Sequence, residues 1–319
     1  MLEDRIVELR TDSLRVSCSP AAGFVIVSIR DGVSGADALW RRESHEPAAC
    51  ARALGAPGEE SVATFLDLFV GGWFEMFPAV GHHGSIHGVP TLLHGEVVRL
   101  PWTVLEQSET AVEARVQTLR TPFEVVRRIE LVGDTLVYSG RIRNLGRETA
   151  PYLWGQHPCF DRSTFASGTI EIDVAEASVP GPAYDEANST LVVDQRFTWP
   201  NAQSRGGAAV DLSAIPARAD GRHEHVVLTP RTGAARLTAP AVGRAFTLEF
   251  DLRSFPYVLL WQDFRAPGQS FWGAADTFTL EPSSNPGRSV DDAVAAGAVR
   301  YLEPGAEVSA ELKAGWSAL

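Results

Sequence analysis

Hydrophobic and polar residues alternate with a period of two along most of the chain. Arg5-Ile6-Val7-Glu8-Leu9, Leu14–Cys18 and Val112–Gln117 show it, as do Phe123–Leu131 and Thr135–Asn144, which Val132-Gly133-Asp134 joins as a hairpin. Alternation rich in β-branched residues suits strands with one buried and one solvated face. Further strands are expected at Gly168–Ile172, Val226–Leu228, Ala235–Leu237, Phe246–Leu252, Tyr257–Trp261 and Thr277–Leu280. The helical period is nearly absent: Ser289–Ala296 begins like a capped helix and Gly297 is its stop. The β-α-β alternation of a doubly wound fold is missing, and no GxGxxG follows a strand. The pattern predicts an all-β protein, one large antiparallel β-sandwich over residues 1–319 with few short helices. The loop-like stretch Thr198–Gly207 does not divide it, because strands of similar composition lie on both sides.

Composition narrows the function classes. The 319 residues carry a net charge of −12, and no basic stripe is present to neutralise a nucleic-acid backbone. Lys313 is the single lysine and has no Gly-rich approach, which sets aside Schiff-base and phosphate-loop chemistry. The three cysteines, Cys18, Cys50 and Cys159, are too scattered for a disulfide framework or a CxxC metal site. The apolar stretch Ala63–Val80 is interrupted by Asp67, Gly71, Gly72, Glu75 and Pro78, unlike a membrane-spanning helix, and Met1–Arg5 does not begin a signal peptide. A soluble cytoplasmic protein with no nucleic-acid or membrane partner is expected, its oligomeric state open.

Three residues stand in contexts that can carry chemistry. His157 lies between Gly155-Gln156 and Pro158, which restrict the backbone around an imidazole at a strand end. His94 precedes Gly95, and Glu281 ends an apolar strand and is followed by Pro282 and the loop Ser283–Gly287. Each alone reads as a structural histidine or a surface carboxylate; a Glu and a His meeting in one cleft would be a general base and a general acid. His82, His83 and His87, with His223-x-His225, raise a metal reading. Gly81, Gly84, Gly88 and Pro90 work against a helical His pair there, and no metal is expected. Gly268–Gly273 is one residue too long for the GxSxG of a serine hydrolase.

The order of these segments resembles the aldose 1-epimerase (galactose mutarotase-like) family. His94, Gly95 and Trp102 match one motif; Asn144, Pro151, Gly155, His157, Pro158 and Phe160 match a second. Glu281, Pro282, Asn285, Pro286 and Gly287 are similar to a third, and Leu302, Pro304 and Gly305 to the closing turn. The resemblance implies a β-supersandwich with a sugar-binding cleft, in which Glu281 takes the proton of the anomeric hydroxyl, His157 protonates the ring oxygen and His94 binds the sugar. It implies no cofactor and a small sugar as substrate, so the expected function is interconversion of the α and β anomers of a hexose. A non-catalytic carbohydrate-binding protein of the same fold is the alternative. Where the family places arginines, this chain has Gly81-His82-His83-Gly84 and Val98-Arg99; the family's further sugar-binding Asp has no clear match among Asp220, His223 and Glu224. His82, Arg99, Gln156, Trp73 and Glu75 are therefore the candidate sugar contacts, Trp73 by stacking and Glu75 by accepting from hydroxyls. Carboxylate and imidazole are expected to flank a gap of ~5–8 Å.

Overall fold

The computed structural model describes residues 6–54, 62–182, 186–268, 271–287 and 289–319. Antiparallel strands dominate, and seventeen of them form one continuous hydrogen-bonded network. The expected hairpin pairs Phe123–Val132 with Thr135–Asn144, and Gly133 takes the left-handed φ of 63° that closes the turn. The two runs at Val226–Leu228 and Ala235–Leu237 belong to a single strand, His223–Ala239. Its first half pairs with Tyr257–Phe264 and its second with Arg244–Phe250, so this strand passes from one layer of the sandwich to the other. The apolar side chains of both layers meet between them in the main core, which includes Trp73, Trp102, Tyr138, Trp154, Phe160, Phe246, Leu260 and Trp316.

Ser289 caps the helix Val290–Ala295, its hydroxyl accepting from the Asp292 amide, as the sequence pattern expects. Two helices are not legible in the pattern: Pro47–Leu54 and Val62–Asp67. The first has Pro at its opening position, and the Glu46 carboxylate accepts from the amides of Ala48 and Ala49. It forms in an alanine-rich segment too short to show a periodic face. The strand expected from Arg5 begins at Val7, and Arg5 lies outside the described residues, as do Gln269 and Ser270. No helix among the described residues is long and apolar enough to cross a membrane.

The inner layer decides where chemistry can occur. Trp73–Met76 pairs with Gly155–Asp161, placing Phe74 opposite His157 and Glu75 opposite Gln156. Gly155–Asp161 pairs in turn with Asp276–Thr279, and Glu281–Ser283 pairs with Tyr257–Phe264, with Leu259 opposite Glu281. Side chains alternate between faces along each strand. Trp73, Phe160, Val258, Leu260 and Phe278 enter the core between the layers, while Phe74, Met76, Cys159 and Leu259 form a second apolar cluster on the opposite face. Both faces of these strands are thus covered, and Trp73–Met76 is buried at every position.

Candidate active site

His157 and Glu281 come together on the face that carries the second cluster. Nε2 of His157 lies 3.4 Å from Oε1 of Glu281, and both residues are about 95% buried, at 5% and 4% exposure. The Thr279 hydroxyl, two residues back on the same face, donates to that carboxylate oxygen at 2.7 Å. Burial pushes the Glu281 carboxyl up to about 8, the Thr279 hydrogen bond opposing it only in part. Burial likewise holds the His157 imidazole well below its ordinary value, helped by the neighbouring His94 and His225. The uncharged form of each group is favoured, so at neutral pH the pair holds one proton, carried by the carboxyl. Acid and base therefore stand in contact, where a wider gap was expected. O1 and O5 of a pyranose are both bonded to C1, so the groups that serve them must themselves be neighbours.

His94 completes the cluster. Its ring centroid is 5.2 Å from that of His157 in an edge-to-face arrangement. Nδ1 lies 2.6 Å from the Val80 carbonyl oxygen, which can only accept, so Nδ1 carries the proton and Nε2 is left with a lone pair. Burial lowers this imidazole to about 3, so His94 is neutral and offers an acceptor for a hydroxyl. The turn that presents it needs Gly95: φ is 79°, and a Cβ there would lie 2.1 Å from the Phe77 carbonyl oxygen. Trp102, eight residues after His94, is a core residue whose indole N–H donates to the Val97 carbonyl and thereby ties down the same segment.

The remaining candidates separate into those on this face and those that are not. His82 is exposed and lines a groove beside the cluster. Trp73, Glu75 and Gln156 project into the main core and are fully buried, so none of them can contact a sugar on the other face. Glu75 Oε1 accepts from the Tyr138 hydroxyl at 2.8 Å and the Trp154 indole at 2.6 Å. Gln156 accepts from the Trp73 indole and donates to Tyr138. Arg99 is buried and donates to the carbonyls of Leu93 and Gly95 at 2.7 and 2.6 Å, its guanidinium over the Phe65 ring. It holds the backbone that presents His94. Glu224 is also buried, accepting from Ser189 and Thr190, and His223 accepts from the Trp261 indole N–H.

Aromatic residues that the sequence reading did not single out form the walls. Phe74 stacks on His157 at 4.4 Å, with Phe69 at 5.9 Å and Trp261 at 6.2 Å on other sides. Phe271 packs against both Phe69 and Trp261. The signal for Phe74 was its place in the alternation beside Trp73, one residue out of phase. Phe69 follows the helix that the pattern did not show.

No family profile and no curated protein matches the sequence. Solved structures do match over nearly the whole chain. A candidate aldose 1-epimerase of Escherichia coli K12 is 20% identical with a TM-score of 0.69, covering 99% of each chain. A galactose mutarotase related enzyme of Lactobacillus acidophilus is 14% identical with a TM-score of 0.67, covering 98% of each. A candidate aldose 1-epimerase of Klebsiella pneumoniae is 15% identical with a TM-score of 0.70, covering 96% of this chain and 77% of that one. At these identities the likeness is one of fold: the chain has the galactose mutarotase-like fold.

Proposed function

We propose that the protein is an aldose 1-epimerase, interconverting the α and β anomers of a hexose by ring opening and reclosure. The observation that carries this reading is the buried contact of Glu281 with His157 at 3.4 Å, with the accepting His94 beside it. In opening, Glu281 takes the proton from the O1 hydroxyl while His157 gives one to O5, and the C1–O5 bond breaks to the aldehyde. Rotation about C1–C2 presents the other face, O5 attacks C1, and the two protons return. The pair holds one proton throughout, on His157 before opening and on Glu281 after it. The empty site favours the second form; sugar hydroxyls that donate to the carboxylate stabilise the first. His94 accepts from a further hydroxyl and fixes the ring, and the cycle uses no cofactor.

Polarimetry on fresh α-D-glucose and α-D-galactose tests the reading, with the Glu281→Gln variant as control. Acceleration by the parent and its loss in the variant are expected; equal rates with and without protein overturn the reading. One observation favours a second reading, a sugar-binding protein without turnover: Phe69 packs on His157 with Phe271 behind it, and little of the pair is exposed. Calorimetric binding of these sugars without acceleration would select it.

A further inference from the structure

Beside the buried pair lies an open groove of about 1040 Å³. Its walls are the strand end and turn at 178–182, the segment 194–196, the loop at Pro286 and Gly287 that follows Glu281, and one side of the helix Val290–Ala295. His82 and His225 lie at the end nearest the pair: the fields of both reach His94, and that of His225 reaches His157. Gly287, at φ 82°, lies against the His225 and Leu259 side chains at this end, and its left-handed backbone is what favours glycine there. The volume is at the top of the range of about 300–1,000 Å³ that holds drug-sized ligands. A single hexose, with twelve heavy atoms, would fill only part of it.

The chemistry of the walls limits what can lie there. Among the described lining residues Arg196 is the one permanent cation, and its guanidinium is paired with Glu176. Asp194 and Asp292 face the same space, so among the described lining residues two carboxylates stand against one guanidinium that already has an acidic partner, and a phosphate or carboxylate on the ligand would meet net negative charge. Imidazoles, carboxylates and the Gln195 amide alternate with Val179, Pro180, Pro182 and Val227. Polar groups set between apolar faces suit pyranose rings, which present hydroxyls at the rim and C–H on the faces. We propose that the substrate is the reducing end of an uncharged oligosaccharide, whose remaining sugar units lie along this groove. The inference rests on the mutarotase reading and names its substrate class.

NMR exchange spectroscopy at anomeric equilibrium tests it with two series, glucose, maltose and maltotriose, and glucose, cellobiose and cellotriose. For at least one series kcat/KM should rise about tenfold from monosaccharide to trisaccharide, the gain that one or two net hydrogen bonds supply. Ser178→Trp and Ala295→Trp narrow the groove from two different elements that line it, a strand end and an exposed helical position. Each should abolish the gain with length while leaving the rate on glucose unchanged, and folding is checked by circular dichroism. Equal kcat/KM along both series, or variants that leave the gain intact, overturns the groove assignment while the mutarotase reading stands. Absence of acceleration on every sugar overturns the mutarotase reading instead. Calorimetric binding of maltotriose or cellotriose in preference to glucose then decides on the groove separately.

Discussion

Replacing Glu281 by Gln should remove catalysis and, above neutral pH, raise stability. Gln keeps the shape of the side chain and the acceptor oxygen for the Thr279 hydroxyl, but cannot take the anomeric proton. Loss of a general base is worth roughly 10²–10⁴-fold in rate. The stability change follows from linkage. Glu281 titrates at about 8 in the folded protein against an ordinary 4.5, so the folded state holds this proton more tightly than the unfolded chain. The stability that the proton contributes is complete below pH 4.5 and is lost as pH rises through about 8. At about 1.4 kcal/mol per unit, a 3.5-unit interval (8 − 4.5) amounts to about 5 kcal/mol, or roughly 5–10 °C in Tm for a chain of this size. Gln does not ionise and keeps that stability. Differential scanning calorimetry of both proteins from pH 5 to 9 should show the Tm of the variant drawing ahead across the interval and the gap levelling above pH 8. His157, His94 and His225, all lowered by burial, work the other way, adding stability as pH rises toward 6.5. His94 and His225 are present in both proteins and cancel in the difference, while His157 touches the substituted side chain and is kept uncharged by burial in both. A gap constant between pH 5 and 9 would show that Glu281 is not a desolvated carboxyl, and an undiminished rate would show that the base is another group.

Three further outcomes are expected. His157→Asn removes the acid and should slow mutarotation by roughly 10²–10⁴-fold, with the circular dichroism spectrum unchanged; a parental rate would place the acid elsewhere. The rate of the parent should fall as pH rises through about 8, where the pair loses its one proton and no acid is left, so a profile still climbing at pH 9 counts against the assignment. Trp73→Phe leaves the Gln156 oxygen without its buried donor and should cost about 1–3 kcal/mol in urea unfolding while KM stays at the parental value, because Trp73 faces the core.

Most of the fold is legible in the sequence because strands with one wet face write their phase into it. Phe123–Val132 and Thr135–Asn144 alternate between buried and part-exposed positions, and the Gly133 turn fixes their register. The inner strands differ. Trp73–Met76 and nearly all of Gly155–Asp161 are buried on both faces, so apolar and polar residues follow one another without a period that says which face each takes. His157, His94 and Glu281 were found by their flanking Gly and Pro, features of the backbone that do not depend on phase. Trp73, Glu75 and Gln156 were chosen by side-chain type alone, and a shift of one residue moves such a choice to the other side of the sheet. Arg99 was chosen for its charge, yet the carbonyls that hold it belong to a turn whose geometry the sequence does not specify.

The residues on the wrong face still bear on the site through the sheet. Tyr138 and Trp154 converge on one oxygen of Glu75, and Gln156 bridges Tyr138 to Trp73, so donors and acceptors from three strands and the Leu153–Trp154 junction meet behind the pair. These bonds form in one register only, because a slip of one residue would turn Glu75 toward the other face and leave Tyr138 and Trp154 without their acceptor. That register is the one that sets Phe74 opposite His157 and stacks the two rings at 4.4 Å. The stack fixes the plane of the imidazole, and with it the direction in which Nε2 meets Glu281. Polarity inside the sandwich is thereby converted into the orientation of one acid on its outer face.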